Sequence, residues 1–267
     1  GTGSAIGNPM AITNGRKPVA YYPLSNAGFN SEFLVPNGAE QDYVFDFDND
    51  TINPSVTLSG LNITDEFSVS LWTNVDTITS FRGALGATSG GGWTDGFGMY
   101  INASKWVFFV DHYNTGKVTS STTITTGTWI HLVGTFSSSG TGKLYVNGTE
   151  EGTPVTGKTL DGLSNNFGMG SLYLGGGPYQ GMLSNVQIWN KELIASEVTT
   201  LYNYGTPYKG TQPQSANLQG WWELDASATF DGNWNIPDAS SNSNTGTSIG
   251  MTASNLVQSD LIINAPF

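Results

Sequence analysis

Residues 128–155 read TWIHLVGTFSSSGTGKLYVNGTEEGTPV, and they indicate the fold more clearly than any other stretch. Two runs that alternate apolar and polar residues flank the polar segment 137–142, which is the pattern of a β-hairpin with one buried face. A second turn follows at Asn147 and Gly148. An Asn-Gly pair accommodates the positive φ angles of a type I′ turn. The stretch therefore predicts antiparallel strands joined by two tight turns.

Alternation with a period of two residues recurs along the chain. In EFSVSLW (66–72), Phe67, Val69 and Leu71 share one face of a strand. The run 98–113 predicts two strands joined at 102–104, and the runs 171–177 and 181–189 predict another strand pair. Only 11% of the residues are charged and 35 are glycine, a composition typical of sheets and turns. We therefore expect an all-β fold.

One segment has the spacing of an α-helix. Val198, Leu201 and Tyr202 are spaced by three and four residues within 195–203, and Gly205 stands where helices commonly end. The next segment, GTPYKGTQPQSAN, has two prolines and no periodic pattern, so it predicts a linker. After it, LQGWWELDAS (218–227) echoes PVAYYPLSNA (18–27), which indicates a partial internal repeat.

These features divide the chain into four parts. We predict an N-terminal arm at 1–17, a main domain at 18–204, the linker at 205–217 and an extension at 218–267. The extension has about 50 residues, too few for a second domain of the same size. It must therefore pack on the main domain or on a neighbouring chain.

Charge and composition exclude several classes of function. The formal net charge is −12 and the only arginines are Arg16 and Arg82, so no basic stripe is present to bind nucleic acid. No apolar run is long enough for a transmembrane helix, so we expect no membrane partner. The chain has no cysteine, which excludes disulfides, thiolate metal sites and cysteine nucleophiles.

The acidic run FDFDND (45–50) allows two interpretations. As a calcium loop it would use Asp46, Asp48 and Asp50, but Thr51 stands where that loop requires glycine. As a strand it would bury its two phenylalanines and expose Asp46 and Asp48. We favour the strand. A calcium ion at its end, bound by Asp48 and Asp50 with nearby carbonyl oxygens, is kept as the alternative.

Four segments, taken in order, resemble the laminin-G-like family of concanavalin A-type jelly rolls. They are VAYYPLSN (19–26), FSVSLWTNVD (67–76), the hairpin at 128–155, and LGGGPYQGMLSNVQIWNKELIASEVTTLYN (174–203). The resemblance implies an antiparallel two-sheet jelly-roll sandwich with one short helix, followed here by the C-terminal extension. This chain has Ile194 where the family usually carries a capping Ser or Thr, which leaves the helix start open by a residue or two.

The resemblance also implies a function. Members of this family bind ligands, frequently carbohydrate, and some hold calcium at a rim site. The composition, free of cysteine and rich in Asn, Ser and Thr, is similar to that of virion surface proteins of marine bacteriophages. We therefore expect a surface binding module on a virion or in another extracellular assembly.

The glycine-rich loop GGGWTDGFG (90–98) is the main candidate for a ligand site. An exposed aromatic ring beside Asp or Asn suits a sugar, because the ring covers the apolar face and the polar groups reach the hydroxyls. The loop does not lead from a strand into a helix, so it does not predict phosphate binding. The alternative is that Trp93 only covers the end of the sandwich. The predicted ligand-binding residues are Trp93, Asp95, Asp111, His112, Tyr113 and Tyr179.

Patterns of catalytic residues are incomplete. EQDYVF (40–45) and ELDASA (223–228) begin like the Glu-x-Asp-x-x-Glu strand of sandwich laminarinases but lack the last glutamate. His112 and His131 are the only histidines, no Gly-x-Ser-x-Gly elbow is present, and we interpret His131 as structural. We predict a non-enzymatic protein, with glycoside hydrolysis as the weaker alternative.

A second hypothesis assigns the chain to assembly. In this hypothesis, residues 205–267 bind neighbouring subunits and hold together a homo-oligomeric virion component, such as a capsid decoration or a fibre. Trp221, Trp222, Trp234 and the tail DLIINAPF (260–267) favour it, because a lone partial repeat would leave these apolar side chains uncovered.

Overall fold

Seventeen strands form the framework of the computed structural model, which describes residues 43–173, 178–259 and 261. Two antiparallel sheets lie face to face. Their strands are numbered together, in the order in which they occur along the chain. The first sheet contains β1 (Tyr43–Asp48), β3 (Phe67–Val75), β8 (Trp129–Phe136), β9 (Gly142–Val146), β10 (Thr149–Val155), β12 (Gln180–Trp189), β13 (Leu218–Trp222) and β17 (Leu256–Gln258). The second contains β2 (Thr51–Asn53), β4 (Arg82–Ala87), β5 (Phe97–Asn102), β6 (Lys105–Val110), β7 (Lys117–Thr123), β11 (Gly168–Met169), β14 (Thr229–Phe230), β15 (Trp234–Ile236) and β16 (Gly246–Ile249).

In both sheets, several strands that are neighbours in space are far apart in the sequence. The first sheet runs β10-β9-β8-β3-β12-β1-β17, with β13 also paired to β12. The second runs β14-β15-β16-β2-β11-β4-β5-β6-β7. The predicted all-β jelly-roll sandwich with one short helix is confirmed.

The core lies between the inner faces of the two sheets. Phe67, Val69 and Leu71 of β3 point into it, as their alternation predicted, and all three are buried. The Phe67 ring meets Phe97 of the second sheet with 4.5 Å between ring centroids, and it also approaches Phe108. Contacts of this kind join the two sheets by apolar burial.

The hairpin that indicated the fold is present. Strand β8 pairs with β9 and β9 with β10. At the second turn Asn147 has φ 49° and Gly148 has φ 79°, the two positive angles of a type I′ turn. The predicted partner of residues 181–189 is wrong, however. Strand β12 pairs with β1, β3 and β13, and Ser171 and Leu172 lie outside the strands, while residues 174–177 of the predicted partner lie outside the described part of the chain.

The predicted helix is α1 (Ala195–Tyr202). Ile194 precedes it without a side-chain cap, and its own N–H donates instead to Glu197 Oε2 at 2.9 Å. The helix ends where Asn203 takes φ 44°, two residues before the predicted Gly205, because asparagine also tolerates the left-handed conformation. In the described part of the chain, no helix is long and apolar enough to span a membrane.

The segment after residue 217 contributes strands to both sheets of the same chain. Strand β13 pairs with β12, β16 with β2, and β17 with β1. Trp222 and Trp234 are buried in the common core, and Trp221 is half-buried. Our argument that these tryptophans need a neighbouring chain as cover is therefore wrong for Trp222 and Trp234.

The predicted linker makes specific contacts with the first sheet. Gln212 is buried, and its Oε1 accepts a hydrogen bond from Gln187 Nε2 at 2.9 Å. The indole N–H of Trp189 donates to the carbonyl oxygen of Pro213 at 2.9 Å. The domain boundaries stay a prediction. The arm at 1–17, the strand at 19–26 and the tail beyond Leu261 lie outside the described residues.

Candidate functional site

The outer face of the second sheet carries an aromatic layer. Tyr100, Val107 and Phe109 alternate with core residues of β5 and β6, so they point away from the core. Leu172 packs among them because glycines leave room: a Cβ on Gly98 would lie 2.5 Å from Leu172 Cδ2. This layer forms the base on which the neighbouring loops rest.

Above this layer lies a hollow of about 270 Å³. We call it the aromatic hollow, and the residues that line it are Phe81, Gly91, Gly92, Trp93 and Tyr113. Tyr100 lies beneath, with its ring centroid 5.2 Å from Trp93 and 6.2 Å from Phe81. Burial raises the pKa of Tyr100 to about 12, with a further contribution from Tyr113, so its phenol stays protonated.

Phe81 is the most exposed aromatic side chain of the hollow, with 47% of its surface accessible. Its backbone has φ 65°, held by an N–H···O bond of 2.6 Å to Ile101. A left-handed conformation is unfavourable for a bulky residue, and residues held in it occur in turns and at functional sites. Sequence analysis missed Phe81, because nothing local distinguishes a loop phenylalanine that is exposed from one that is buried.

Trp93 joins the two loops that build the hollow. Its N–H donates to Gly90 O at 3.1 Å, and its carbonyl accepts the N–H of Tyr113 at 3.0 Å. Trp93 also has a positive φ, 47°, and is only 7% exposed. Among the described residues its indole N–H has no hydrogen-bond partner. A buried donor without a partner is uncommon in folded proteins, and the indoles of Trp106 and Trp129 share this property here.

Asp95 fixes the glycine-rich loop and is not among the lining residues. Its Oδ1 accepts the backbone N–H of Ser89 at 2.9 Å, and its Oδ2 accepts Asn165 Nδ2 at 3.1 Å. Burial alone would raise the pKa of Asp95, but the hydrogen bonds from Ser89 and Asn165 outweigh it and lower the pKa. Asp95 therefore remains a charged anchor for the loop.

Asp111 and His112 directly precede Tyr113, which lines the hollow. Asp111 Oδ2 is 3.2 Å from Lys158 Nζ, which also reaches Thr115 Oγ1 at 3.2 Å. The His112 ring stacks on Tyr113 at 5.3 Å, and its Nδ1 accepts the N–H of Asn114 at 3.1 Å. In the neutral imidazole the hydrogen then lies on Nε2. The structure thus brings Trp93 and Tyr113 together, with His112 beside them.

Tyr179 does not belong to this site. Its side chain is fully buried, and its hydroxyl is hydrogen-bonded to Thr73 Oγ1. Burial raises the pKa of Tyr179. The prediction that Tyr179 contacts a ligand is therefore wrong, because the residue after the Pro178 corner turns inward and presents no free ring face.

The acidic run is a strand, as predicted. Phe45 and Phe47 are buried, while Asp48 is exposed at the end of β1. Asp48 Oδ1 accepts Gln180 Nε2 at 3.0 Å, and Asp50 Oδ2 accepts Asn255 Nδ2 at 3.0 Å. These partners supply amide donors, whereas calcium requires a set of oxygen ligands. Within the described ranges no group of three or more His, Asp or Glu residues is arranged to hold a metal.

A second aromatic cluster lies on the outer face of the first sheet. We call Trp72, His131 and Tyr202 the buried stack: Trp72 lies 5.1 Å from His131 and 5.9 Å from Tyr202, with nearly parallel rings. Ser70 Oγ is 2.8 Å from His131 Nε2, but Nδ1 has no partner among the described residues. Burial lowers the pKa of His131 to about 3. An inaccessible Ser-His pair without an orienting carboxylate is not a nucleophilic site.

Comparisons with known proteins agree with this architecture. A family model for the Concanavalin A-like lectin/glucanases superfamily matches residues 47–199. No curated protein sequence matches the chain significantly. A candidate carbohydrate-binding protein from Bacteroides ovatus has a similar structure, with 18% identity, a TM-score of 0.59, and coverage of 82% of this chain and 60% of its own.

Two further solved structures are similar at lower scores. A native heptameric SAP-like pentraxin from Limulus polyphemus has 16% identity and a TM-score of 0.46, covering 61% of this chain and 82% of its own. Domain 4 of a GH43 extracellular arabinanase from Geobacillus stearothermophilus, in complex with arabinotriose, has 21% identity and a TM-score of 0.38, covering 52% and 68%. At these identities the likeness concerns the fold alone.

Proposed function

This chain belongs to the concanavalin A-like lectin/glucanases superfamily, and we propose that it is a non-enzymatic carbohydrate-binding module whose site is the aromatic hollow. One observation carries the proposal. An exposed aromatic face, that of Phe81, stands beside an indole donor, Trp93 Nε1, that has no partner among the described residues.

The chemistry of the hollow suits a sugar. A pyranose presents an apolar face of C–H groups, which packs on an aromatic ring, and hydroxyls around its edge, which need donors and acceptors. Phe81 offers the ring, and the phenol of Tyr113 and the Nε2–H of His112 offer polar partners at the margin. Trp93 Nε1 gains a hydrogen-bond partner if a sugar hydroxyl reaches it.

The same lining argues against glycoside hydrolysis. A glycosidase needs two carboxylates on opposite sides of the scissile bond, about 5 to 9.5 Å apart. The five lining residues include no carboxylate. Asp95 and Asp111, the nearby acids in the sequence, are held by Asn165 and Lys158 respectively. We therefore assign binding without turnover.

The comparison with the Bacteroides ovatus protein supports the same reading, since that protein is described as a candidate carbohydrate-binding protein. This chain spans 60% of that protein's length, so any activity of the whole protein lies beyond the comparison. A virion-surface or extracellular location and a homo-oligomeric state stay predictions from the sequence.

A glycan array tests the proposal, with wild type compared with Phe81→Ala and with Phe230→Ala. Phe230 is the matched control, because it is a similarly exposed phenylalanine, 41% against 47%, that does not line the hollow. We expect wild type and Phe230→Ala to bind the same glycans and Phe81→Ala to lose them. Equal glycan binding by Phe81→Ala, or a blank array for folded wild type, would refute the proposal.

A further inference from the structure

We infer that the aromatic hollow takes a single neutral sugar ring and rejects sugars that carry a carboxylate. This inference rests on the proposed function and adds the class of sugar. Two properties of the hollow support it, its size and the absence of charge among its lining residues.

The size of the hollow fits one ring. Pockets that enclose drug-sized molecules have volumes of about 300 to 1,000 Å³. At about 270 Å³ the aromatic hollow lies just below this range. Trp93 and Tyr113 meet at 89° with 5.9 Å between centroids, so they form a corner and not an extended flat platform. A corner holds the end of a glycan chain, whereas a flat row of rings follows several residues along it.

Among the described residues that line the hollow there is no Asp, Glu, Lys, Arg or His. The lining consists of two glycines and the side chains of Phe81, Trp93 and Tyr113. Lys158 forms an ion pair with Asp111, with 3.2 Å between Nζ and Oδ2. A carboxylate that enters such a site loses water without gaining a cation, which is unfavourable. The formal net charge of −12 adds a repulsive field.

Two other cations lie close along the chain. Arg82 follows Phe81, but its guanidinium donates to Asn49 Oδ1 and Pro178 O, both at 2.9 Å. Lys117 pairs with Phe109 in the register of β6 and β7 and is not a lining residue. Lys117 is therefore the cation to remove as a control.

The first experiment measures dissociation constants of the full chain by calorimetry. The probes are the methyl glycosides of glucose, galactose, mannose and N-acetylglucosamine, set against methyl glucuronide, galacturonic acid and N-acetylneuraminic acid. We expect at least one neutral glycoside to bind the protein. Every acidic sugar should bind the protein at least about tenfold more weakly than that glycoside. A linear trisaccharide of the best neutral sugar should bind within about threefold of its single-ring glycoside.

A gain-of-function variant sharpens the test. A Cβ on Gly92 would meet only Thr94 Cγ2, at 3.6 Å, an ordinary contact, so this lining position accepts a side chain. Gly92→Lys supplies the missing cation, and Gly92→Gln is the neutral control of similar length. We expect Gly92→Lys to raise the affinity ratio of acidic to neutral sugars about tenfold relative to Gly92→Gln. Lys117→Ala should leave the wild-type ratio unchanged.

The outcomes separate the inference from the proposed function. If no sugar binds the folded protein, the proposed function fails and the inference fails with it. If acidic sugars bind as tightly as neutral ones, or if Gly92→Lys leaves the ratio of Gly92→Gln unchanged, carbohydrate binding stands and the neutral specificity is wrong. A trisaccharide that binds more than tenfold tighter than its single ring would overturn the single-ring site.

Discussion

The aromatic hollow and the buried stack are built from similar side chains on the outer faces of the two sheets. Each contains a tryptophan and a tyrosine with rings 5 to 6 Å apart, and each has a ring nitrogen with no partner among the described residues. Both tryptophans are nearly buried, Trp72 at 3% and Trp93 at 7%, but the hollow also presents Phe81, which is 47% exposed. Tyr202, the last residue of α1, stacks on Trp72.

The two clusters have similar side chains, so a structural cluster differs from a binding surface in whether other residues pack over it. Over the first sheet, Leu261 packs in one buried cluster with Trp72 and Val44, and Tyr202 of α1 packs against it. Stability there comes from apolar burial. The hollow instead keeps two residues, Phe81 and Trp93, in unfavourable left-handed backbone conformations. We therefore expect mutations in the stack to affect folding and mutations in the hollow to affect binding.

The largest effect is expected from a deletion that removes part of the common core. Removing residues 211–267 takes away β13 to β17 together with the buried Trp222 and Trp234. It also exposes the core rings of Phe45 and Phe167 that pack on these tryptophans. We expect a chain without a cooperative unfolding transition, measured by circular dichroism during heating. A truncated protein that melts cooperatively and still binds glycan would show that the extension is a separate appendage.

Within the buried stack, Trp72→Ala should lower the free energy of unfolding by about 3 to 5 kcal/mol, because it leaves a cavity in the buried cluster with Val44 and Leu261. Urea denaturation followed by fluorescence measures this loss. A loss below about 1 kcal/mol would mean that the stack contributes little, and the contrast with the hollow would disappear.

The stack should also make stability depend on pH through His131. Its folded pKa of about 3 lies below the ordinary value of 6.5. Below pH 6.5 the unfolded chain binds a proton that the folded chain does not, so stability is full above that pH and falls as the pH drops toward 3. The slope reaches up to about 1.4 kcal/mol per pH unit.

Urea titrations at intervals between pH 7 and 5 measure this slope, since most carboxylates titrate below that window. His131→Asn should flatten the slope whatever its effect on stability. An unchanged slope in His131→Asn would assign the pH dependence to other groups.

The smallest effect on stability is expected in the hollow. Phe81→Ala removes an exposed side chain and should change the free energy of unfolding by no more than about 0.5 kcal/mol. The same variant should weaken sugar binding roughly tenfold, because the stacking surface is lost. Paired urea denaturation and calorimetry measure both quantities. A loss of stability comparable with that of Trp72→Ala would make Phe81 a structural residue.

Much of the fold could be predicted from the sequence, because its signals are local. The alternation in β3 and β8 and the Asn147-Gly148 turn depend on neighbouring residues and period-2 geometry alone. The pairing of β13 with β12 has no local signal, since it joins residues such as Val186 and Trp222 that are far apart in the chain. That is why the extension was predicted as an appendage.

The candidate site could be predicted only in part. The glycine-rich loop indicated Trp93, and the following strand end indicated His112 and Tyr113. Phe81 was missed because it reaches the hollow from the loop before β4, through a hydrogen bond to Ile101 that only the fold supplies. Tyr179 was included wrongly because burial depends on the packing of the whole core.

The most direct test of the contrast between the two clusters follows the indole N–H signals of the eight tryptophans by ¹H–¹⁵N NMR during titration with the best neutral glycoside. Spectra of Trp93→Phe and Trp72→Phe identify the two decisive signals by their absence. We expect the Trp93 signal to shift until the protein is saturated, while the Trp72 signal stays in place. A shift of the Trp72 signal with the Trp93 signal unmoved would place the binding site on the other sheet and contradict the proposed site.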